Sequence, residues 1–288
     1  MSDIVSKTQA YGKLILFGEH FVVYHVPALV GAVAASTTCA MEFVPGGEGV
    51  EIIDNRPAVP NYKVKKAEEG KEAVNLVLKH FSVAEKQPKD SSLKLTFGGD
   101  LCCVSGIGAS AAQTVSLSRA IDQVFNLNST EEEINQGGYE GEKGYHGTPS
   151  GIDNTAATYG GLLKFQRTET DPIFTKKEIK EPIRIVYAST GITASTTEVV
   201  GDVRAKKEAD PAWFDNLLEQ YKILVKKAED AMDKGDVTLL GSLMDENHAL
   251  CQELTVSCKE SDELVEAARS AGAIGAKMSG TGRGGLVV

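Results

Sequence analysis

Val104-Ser105-Gly106-Ile107-Gly108-Ala109-Ser110 is the stretch on which the reading of this chain turns. It closes an apolar, turn-like run that begins at Cys102, and from Ser110 the pattern becomes helical, with Leu117, Ile121, Val124 and Phe125 in step. Glycines let a backbone approach an anion closely, and successive N–H groups can then point into one cavity. The start of the helix adds partial positive charge, which favours a phosphate there. Ser110 places a hydroxyl where it either caps the helix or meets a divalent cation. Taken alone, the stretch is equally well a tight strand-to-helix turn with no ligand, so the rest of the chain decides.

Three further segments bear on it. Upstream, Gly12-Lys13-Leu14-Ile15-Leu16-Phe17-Gly18-Glu19-His20 sets a lysine at the start of an apolar strand. Such a lysine can simply extend to solvent, but the order of lysine, strand and Gly-Glu-His is unusual. Downstream, Glu142 and Asp153 flank His146-Gly147-Thr148-Pro149-Ser150-Gly151-Ile152. Two carboxylates near a phosphate loop offer one metal ligand and one candidate base, although each alone is an ordinary surface charge. Near the end, Lys277-Met278-Ser279 leads into Gly280-Thr281-Gly282-Arg283-Gly284-Gly285, which fits the spacing G-x-G-x-x-G. A dinucleotide site needs a helix next and an acidic residue about 20 positions on. Leu286-Val287-Val288 follows instead, so the dinucleotide reading fails on context. No G-x-x-x-x-G-K-[ST] occurs, and the protein-kinase signature set is missing.

Around these segments the pattern predicts strands within 11–44, at 50–53 and at 93–97, with a loop over 54–61 and a helix over 68–81. Ser129-Thr130-Glu131-Glu132-Glu133 reads as a capping box, and Gly137-Gly138 interrupts the helix it starts. A polar turn over 146–154 precedes a strand at 162–165. Residues 166–180 are polar and irregular, which puts a domain boundary near 180. Beyond it lie a strand at 183–188, helices over 211–232, 237–250 and 264–271, and a Gly-rich turn alternating with apolar strand over 276–288.

Composition agrees with a globular chain: 288 residues, 42% hydrophobic and 24% charged, enough for one large domain or two modest ones. The net charge of −10 repels nucleic acid and anionic membranes. The longest apolar run is too short to cross a bilayer, and Met1-Ser2-Asp3-Ile4 has neither the basic start nor the apolar core of a secretory signal. Five cysteines without Cys-x-x-Cys spacing read as free thiols in a reducing compartment.

The four segments, in this order from Gly12 to Gly285, resemble the GHMP kinases, the family named for galactokinase, homoserine kinase, mevalonate kinase and phosphomevalonate kinase. Gly18-Glu19-His20 and the stretch from His146 to Asn154 look like the mevalonate kinase branch, and Ser105–Ser110 with Lys277–Gly282 is most similar to its trypanosomatid members. The resemblance implies an α/β (α+β) chain of two domains with the active site in the cleft between them. Residues 1–180 would form an N-terminal ATP-binding domain like the second domain of ribosomal protein S5, and 181–288 a ferredoxin-like C-terminal domain, shorter at its end than the family's. It implies an ATP-dependent phosphotransferase acting on the C5 hydroxyl of mevalonate, within isoprenoid and sterol precursor synthesis. Another GHMP substrate (phosphomevalonate, homoserine or a sugar) and a non-catalytic metabolite sensor remain as alternatives.

By the same resemblance, Val104, Ser105, Gly106, Ile107, Gly108, Ala109 and Ser110 wrap the ATP phosphates, and Ser110 with Glu142 holds Mg²⁺. Asp153 is the base and Lys13 its partner beside the hydroxyl. Glu19, His20 and Thr196 line the substrate side, and Ser279–Gly285 closes near the phosphates. Ala194 stands where animal mevalonate kinases carry Arg, and Arg283 replaces a glycine of the third motif. The resemblance implies an intracellular protein, cytoplasmic or within an organelle, whose partner is a small molecule; monomer and homodimer are both open.

Overall fold

The computed structural model describes residues 8–170, 172–178 and 183–288. The N-terminal residues read above as no secretory signal, and the domain boundary expected near 180, lie outside the described residues. The described chain forms two compact units that interleave in sequence. One takes in 8–13, 32–103 and 108–160, and the other takes in 14–31, 104–107 and the described residues from 161 to 288. Strands β1 (Thr8–Phe17) and β2 (Ala28–Pro45) contribute residues to both.

The first unit adds β3 (Val50–Asp54), α1 (Tyr62–Lys65), α2 (Ala67–His80), α3 (Val83–Lys86), β4 (Ser91–Gly99), α4 (Ala109–Phe125), α5 (Glu131–His146) and α6 (Ile152–Tyr159). β2 and β4 pair antiparallel, with Cys39 opposite Phe97, Met41 opposite Leu95 and Phe43 opposite Leu93. β3 lies parallel on the other side of β4, Ile52 opposite Leu95. Side chains alternate across a strand, so this register sets one apolar row on one face. That face packs on Val74 and Val77 of α2 and on Leu117 and Ile121 of α4. Burying such side chains stabilises by roughly 1.5–3 kcal/mol each before the entropy cost of ordering them. The strand expectations at 50–53 and 93–97 and the helix expected over 68–81 agree with β3, β4 and α2 within one or two residues.

The capping box is real: the Thr130 hydroxyl accepts from the Glu133 N–H while the Glu133 carboxylate accepts from the Thr130 N–H. The interruption expected at Gly137-Gly138 is not, because α5 runs on to His146. The reason is packing. A Cβ on Gly137 would sit 2.5 Å from Phe81 Cε2, one on Gly138 2.5 Å from Val115 Cγ2, and one on Gly141 2.5 Å from Thr114 Cγ2. These glycines are the flat side that lets α5 lie against α2 and α4. Gly137→Ala is therefore expected to lower stability by about 1–3 kcal/mol through overpacking, although alanine is the better helix former. Urea melts of the two proteins measure this, and an Ala variant as stable as the parent would mean that the Phe81 ring moves aside freely.

The second unit carries β5 (Leu162–Gln166), β6 (Ile173–Lys177), β7 (Ala188–Ser189), α7 (Thr196–Ala209), α8 (Pro211–Lys234), α9 (Val237–Glu253), α10 (Lys259–Ser270), β8 (Met278–Ser279) and β9 (Leu286–Val287). β5 pairs antiparallel with the start of β2 and with β6. β7, β9 and β8 make a small antiparallel sheet in that order. Phe21 stacks on Tyr221 of α8 with ring centroids 4.4 Å apart, and the Tyr221 hydroxyl donates to the Pro27 carbonyl. Lys164 of β5 and Lys177 of β6 both reach Glu229 of α8.

Two expectations change here, and one helix, α7, had not been expected. The stretch read as irregular over 166–180 contains β6. The strand expected at 183–188 is a strand only at Ala188–Ser189, with Val186 and Tyr187 exposed. Helix α7 carries no strong apolar stripe, since only Val199 and Val203 are buried, and it is capped by the Ser195 hydroxyl accepting from the Glu198 N–H. The glycine-rich run 280–285 leads into strand β9 rather than a helix, as its context required.

Candidate active site

Lys13 reaches the site from β1 and is almost completely buried, at 3% exposed. An ammonium in such a place needs a counter-charge, because its desolvation is otherwise costly. Asp153 supplies it, with Lys13 Nζ 2.8 Å from Asp153 Oδ1. Asp153 lies in the first turn of α6, where the helix dipole favours an anion. The turn before it is closed by Gly151 in the left-handed conformation, at φ 88°. Gly108 has a matching part at the start of α4. Its φ is +76°, and a Cβ there would come within 3.0 Å of Lys13 Cγ. The glycine thus lets the loop lie on the lysine's stem.

Glu142 stands in the last turns of α5 and is fully buried. Its carboxyl is pushed up to about 8, first by burial and then by the Asp153 charge, while Ser110 and Lys13 pull the other way. Both carboxylate oxygens are buried without a well-formed hydrogen bond, and His146 Nε2 stands 3.7 Å from one of them. Burial also lowers the His146 pKa. Ser110 does not cap α4, since the capping position belongs to Gly108 and no side chain caps that helix. Its hydroxyl is instead the group that favours the ionised form of Glu142. The structure therefore brings Lys13, Ser110, Glu142 and Asp153 together in the first unit.

A buried carboxylate with unused acceptor oxygens suits a cation. Among the described residues no cluster of three His, Cys, Asp or Glu side chains is placed to hold a metal. Mg²⁺ needs no such cluster, because it takes one or two carboxylates and completes its shell with waters and phosphate oxygens. A donor set of Glu142 with the Ser110 hydroxyl fits such an ion.

The raised Glu142 pKa has a consequence for the metal-free protein. Its folded pKa of about 8 lies above the ordinary 4.5, so between those values the folded state binds more protons than the unfolded one. Glu142 therefore costs stability progressively as pH rises through that window. Glu142→Gln is expected to melt higher than the parent at pH 8 in chelator, with the gap closing towards pH 5. Thermal scans at both pH values check it; an equal gap at each would remove ionisation of Glu142 as the cause.

Of the other expected residues, Gly108 and Ala109 belong to the first unit, and Val104–Ile107, Glu19, His20 and Thr196 to the second. Glu19 forms a buried ion pair with Lys277, whose ammonium also donates to the Met278 carbonyl. His20 is left-handed, at φ 59°, and its Nε2–H donates to the Thr281 carbonyl at 2.7 Å. Burial drives its pKa down to about 4, so the ring is neutral at pH 7. The Thr196 hydroxyl is 2.8 Å from the Thr281 hydroxyl. Thr281 thus ties His20 and Thr196 together, and Lys277 anchors Glu19. Lys277 drew no role from the sequence, and Thr281 was expected only as part of Ser279–Gly285, closing near the phosphates, not as the link between His20 and Thr196. Gly280 of that segment lies so close to Gly106 that a Cβ would stand 3.0 Å from the Gly106 Cα. Arg283 does not present a free charge, because it is paired with Asp202. All five cysteines are free thiols.

The family description "GHMP kinases N terminal domain" matches residues 70–161, and "GHMP kinases C terminal" matches residues 228–288. The mevalonate kinase of Pyrococcus horikoshii is 34% identical across 96% of this chain and 86% of its own length. That of Thermococcus sibiricus is 36% identical over the same shares. The crystal structure of L. major mevalonate kinase in complex with R-mevalonate superposes with a TM-score of 0.93 at 44% identity, covering 99% of this chain and 87% of that one. Methanococcus jannaschii mevalonate kinase shares the fold, with a TM-score of 0.76 at 21% identity over 100% of this chain and 91% of that one. With relatives this similar along nearly its whole length, the chain belongs to the GHMP kinases and, within them, to the mevalonate kinase family.

Proposed function

We propose that this chain transfers the γ-phosphoryl group of ATP to the C5 hydroxyl of mevalonate, giving 5-phosphomevalonate, ADP and a proton, in isoprenoid and sterol precursor synthesis. The observation that carries the reading is the ion pair of buried Lys13 with Asp153, next to the buried Glu142 and to Ser110 at the start of α4. The likeness to a mevalonate kinase bound to R-mevalonate supports the choice of substrate.

Phosphoryl transfer asks for positioning and charge neutralisation more than for covalent help. In this reading the backbone N–H groups of Val104–Ser110, with the N-terminus of α4, hold the phosphates of ATP. Ser110 and Glu142 would hold Mg²⁺, which when bound offsets the negative charge of the triphosphate. Asp153 accepts the proton that leaves the C5 hydroxyl as its oxygen attacks phosphorus. Lys13 keeps Asp153 oriented, and its charge favours the developing alkoxide. Glu19, His20 and Thr196 would line the substrate side, Glu19 paired with Lys277 and the other two tied together through Thr281. The net charge of −10 argues for a small-molecule partner rather than nucleic acid. No helix among the described residues is long and apolar enough to cross a membrane.

The test is a coupled ADP-release assay with Mg²⁺-ATP and, in parallel, mevalonate, phosphomevalonate, homoserine and galactose. Release with mevalonate well above the other three is expected. Turnover of one of the others instead would keep the kinase chemistry and overturn the substrate.

A further inference from the structure

One buried cation of the first unit has no part in the scheme above. Arg56 follows β3, is 4% exposed, and directs its side-chain N–H groups to two elements, β3 and α4. Nε and Nη2 grip the Asp54 carboxylate at 2.9 and 2.8 Å, one to each oxygen. Nη1 donates to the Ala109 carbonyl at 2.8 Å, in the first residue of α4. Nη2 also donates to Gln113 Oε1 at 3.1 Å, one turn further along that helix. The same Gln113 oxygen accepts from the Tyr145 hydroxyl of α5 at 2.5 Å. Phe97 lies beneath the guanidinium, 5.7 Å away at its ring centroid. Lys63 makes a second contact to Asp54, with Nζ 2.7 Å from its carbonyl oxygen.

We infer that Arg56 is a positioning residue for the nucleotide: through the Ala109 carbonyl, Gln113 and Tyr145 it locks the first turn of α4 to β3 and to α5. The inference rests on the proposed function, in which that turn faces the phosphates of ATP. Stability alone does not account for the arrangement. A buried ion pair contributes little net stability and can often be replaced by apolar groups of the same volume. What an apolar side chain cannot do is fix a helix end by two directional bonds, one to the carbonyl of its first residue and one to a side chain a turn later. Tyr145 stands three residues after Glu142 on α5, so the same network sets the loop and the metal-side carboxylate in one frame. Lysine would keep the charge and lose the fork that serves Asp54, Ala109 and Gln113 at once.

Arg56→Lys separates these roles. Changing an outer-shell partner that orients a metal ligand typically costs about 10–100-fold in metal affinity or activity, and a side chain that orients a phosphate-binding turn is expected to act on a similar scale. The variant is expected to weaken binding of a non-hydrolysable ATP analogue with Mg²⁺, read by calorimetry, by about tenfold or more. KM for mevalonate should stay within about twofold, since no bond of the network reaches toward the residues assigned to it. Tyr145→Phe and Gln113→Asn, which leave the Arg56–Asp54 grip intact, should shift analogue affinity in the same direction by less, and they carry the test if Arg56→Lys does not fold. Unchanged analogue affinity in these variants overturns the inference, as does an equal loss toward both substrates or a fall in melting temperature alone. The proposed function fails separately, by a parent protein that binds the analogue and releases no ADP with mevalonate. A parent that does not bind the analogue overturns both.

Discussion

Asp153→Asn is expected to lower kcat at least ~10²-fold, the lower end of what a positioned base contributes. Asparagine keeps the shape of the side chain and one acceptor oxygen, so Lys13 still has a hydrogen-bond partner where Asp153 Oδ1 stands at 2.8 Å. What is lost is the negative charge and the ability to take a proton. Two effects then add. The hydroxyl proton has no acceptor, and Lys13, 3% exposed, has lost its counter-charge. KM for ATP should move little, because the phosphate loop does not contact the substituted atoms in this reading. Glu142 reports the change independently: with the Asp153 charge gone, one cause of its raised pKa disappears and its pKa should fall. Steady-state kinetics with mevalonate is the measurement, and a kcat close to the parent's would remove Asp153 from the base role.

Lys13→Met is expected to lower kcat by about 10²–10³, the range for deleting one preorganised group that stabilises developing charge. Methionine retains most of the apolar stem that Gly108 packs against, so the loop keeps its support. Removing the ammonium also withdraws one of the two influences that lower the Glu142 pKa. The rise of activity with pH should therefore move to higher pH in the variant, because Glu142 must ionise to hold a cation. Scanning kcat from pH 6 to 9 in both proteins tests this. A variant with a reduced rate and an unmoved profile would assign Lys13 to transition-state charge alone, and one with a full rate would remove it from the chemistry.

How much of this was legible beforehand depends on what kind of signal each feature leaves. Strands β3 and β4 and helices α2 and α8 announce themselves, because alternation and helical periodicity record which side faces a core. Helix α7 leaves almost no such record, since Val199 and Val203 are its buried residues. β6 left little trace because Ile173 and Phe174 sit side by side in an otherwise polar stretch and so show no alternation, and Ile173 faces solvent. The four residues of the first-unit site were nameable from motifs, but no periodicity places Lys13 against Asp153; only the likeness to a family did. The pairing of Lys277 with Glu19 and the linking of His20 to Thr196 by Thr281 could not be named from the third motif, because such contacts have no signature apart from the fold. Arg56 was more hidden again. It sits in a stretch read as a loop, and its distant partners, Ala109 and Gln113, come from a helix that follows about fifty residues later in the chain.

The glycines of α5 have one more implication, for where harmful substitutions should fall. Gly137, Gly138, Gly141 and Gly144 each cost that helix about 1 kcal/mol of intrinsic propensity relative to alanine, so the segment owes its shape to the neighbours it leans on. Glu142, in its midst, is held in register by Ala73, Phe81, Thr114 and Val115 rather than by its own backbone. Tolerance to change should therefore be low along this remote seam as well as around the reacting groups, and loss-of-activity alleles in a random library should cluster there without touching either substrate.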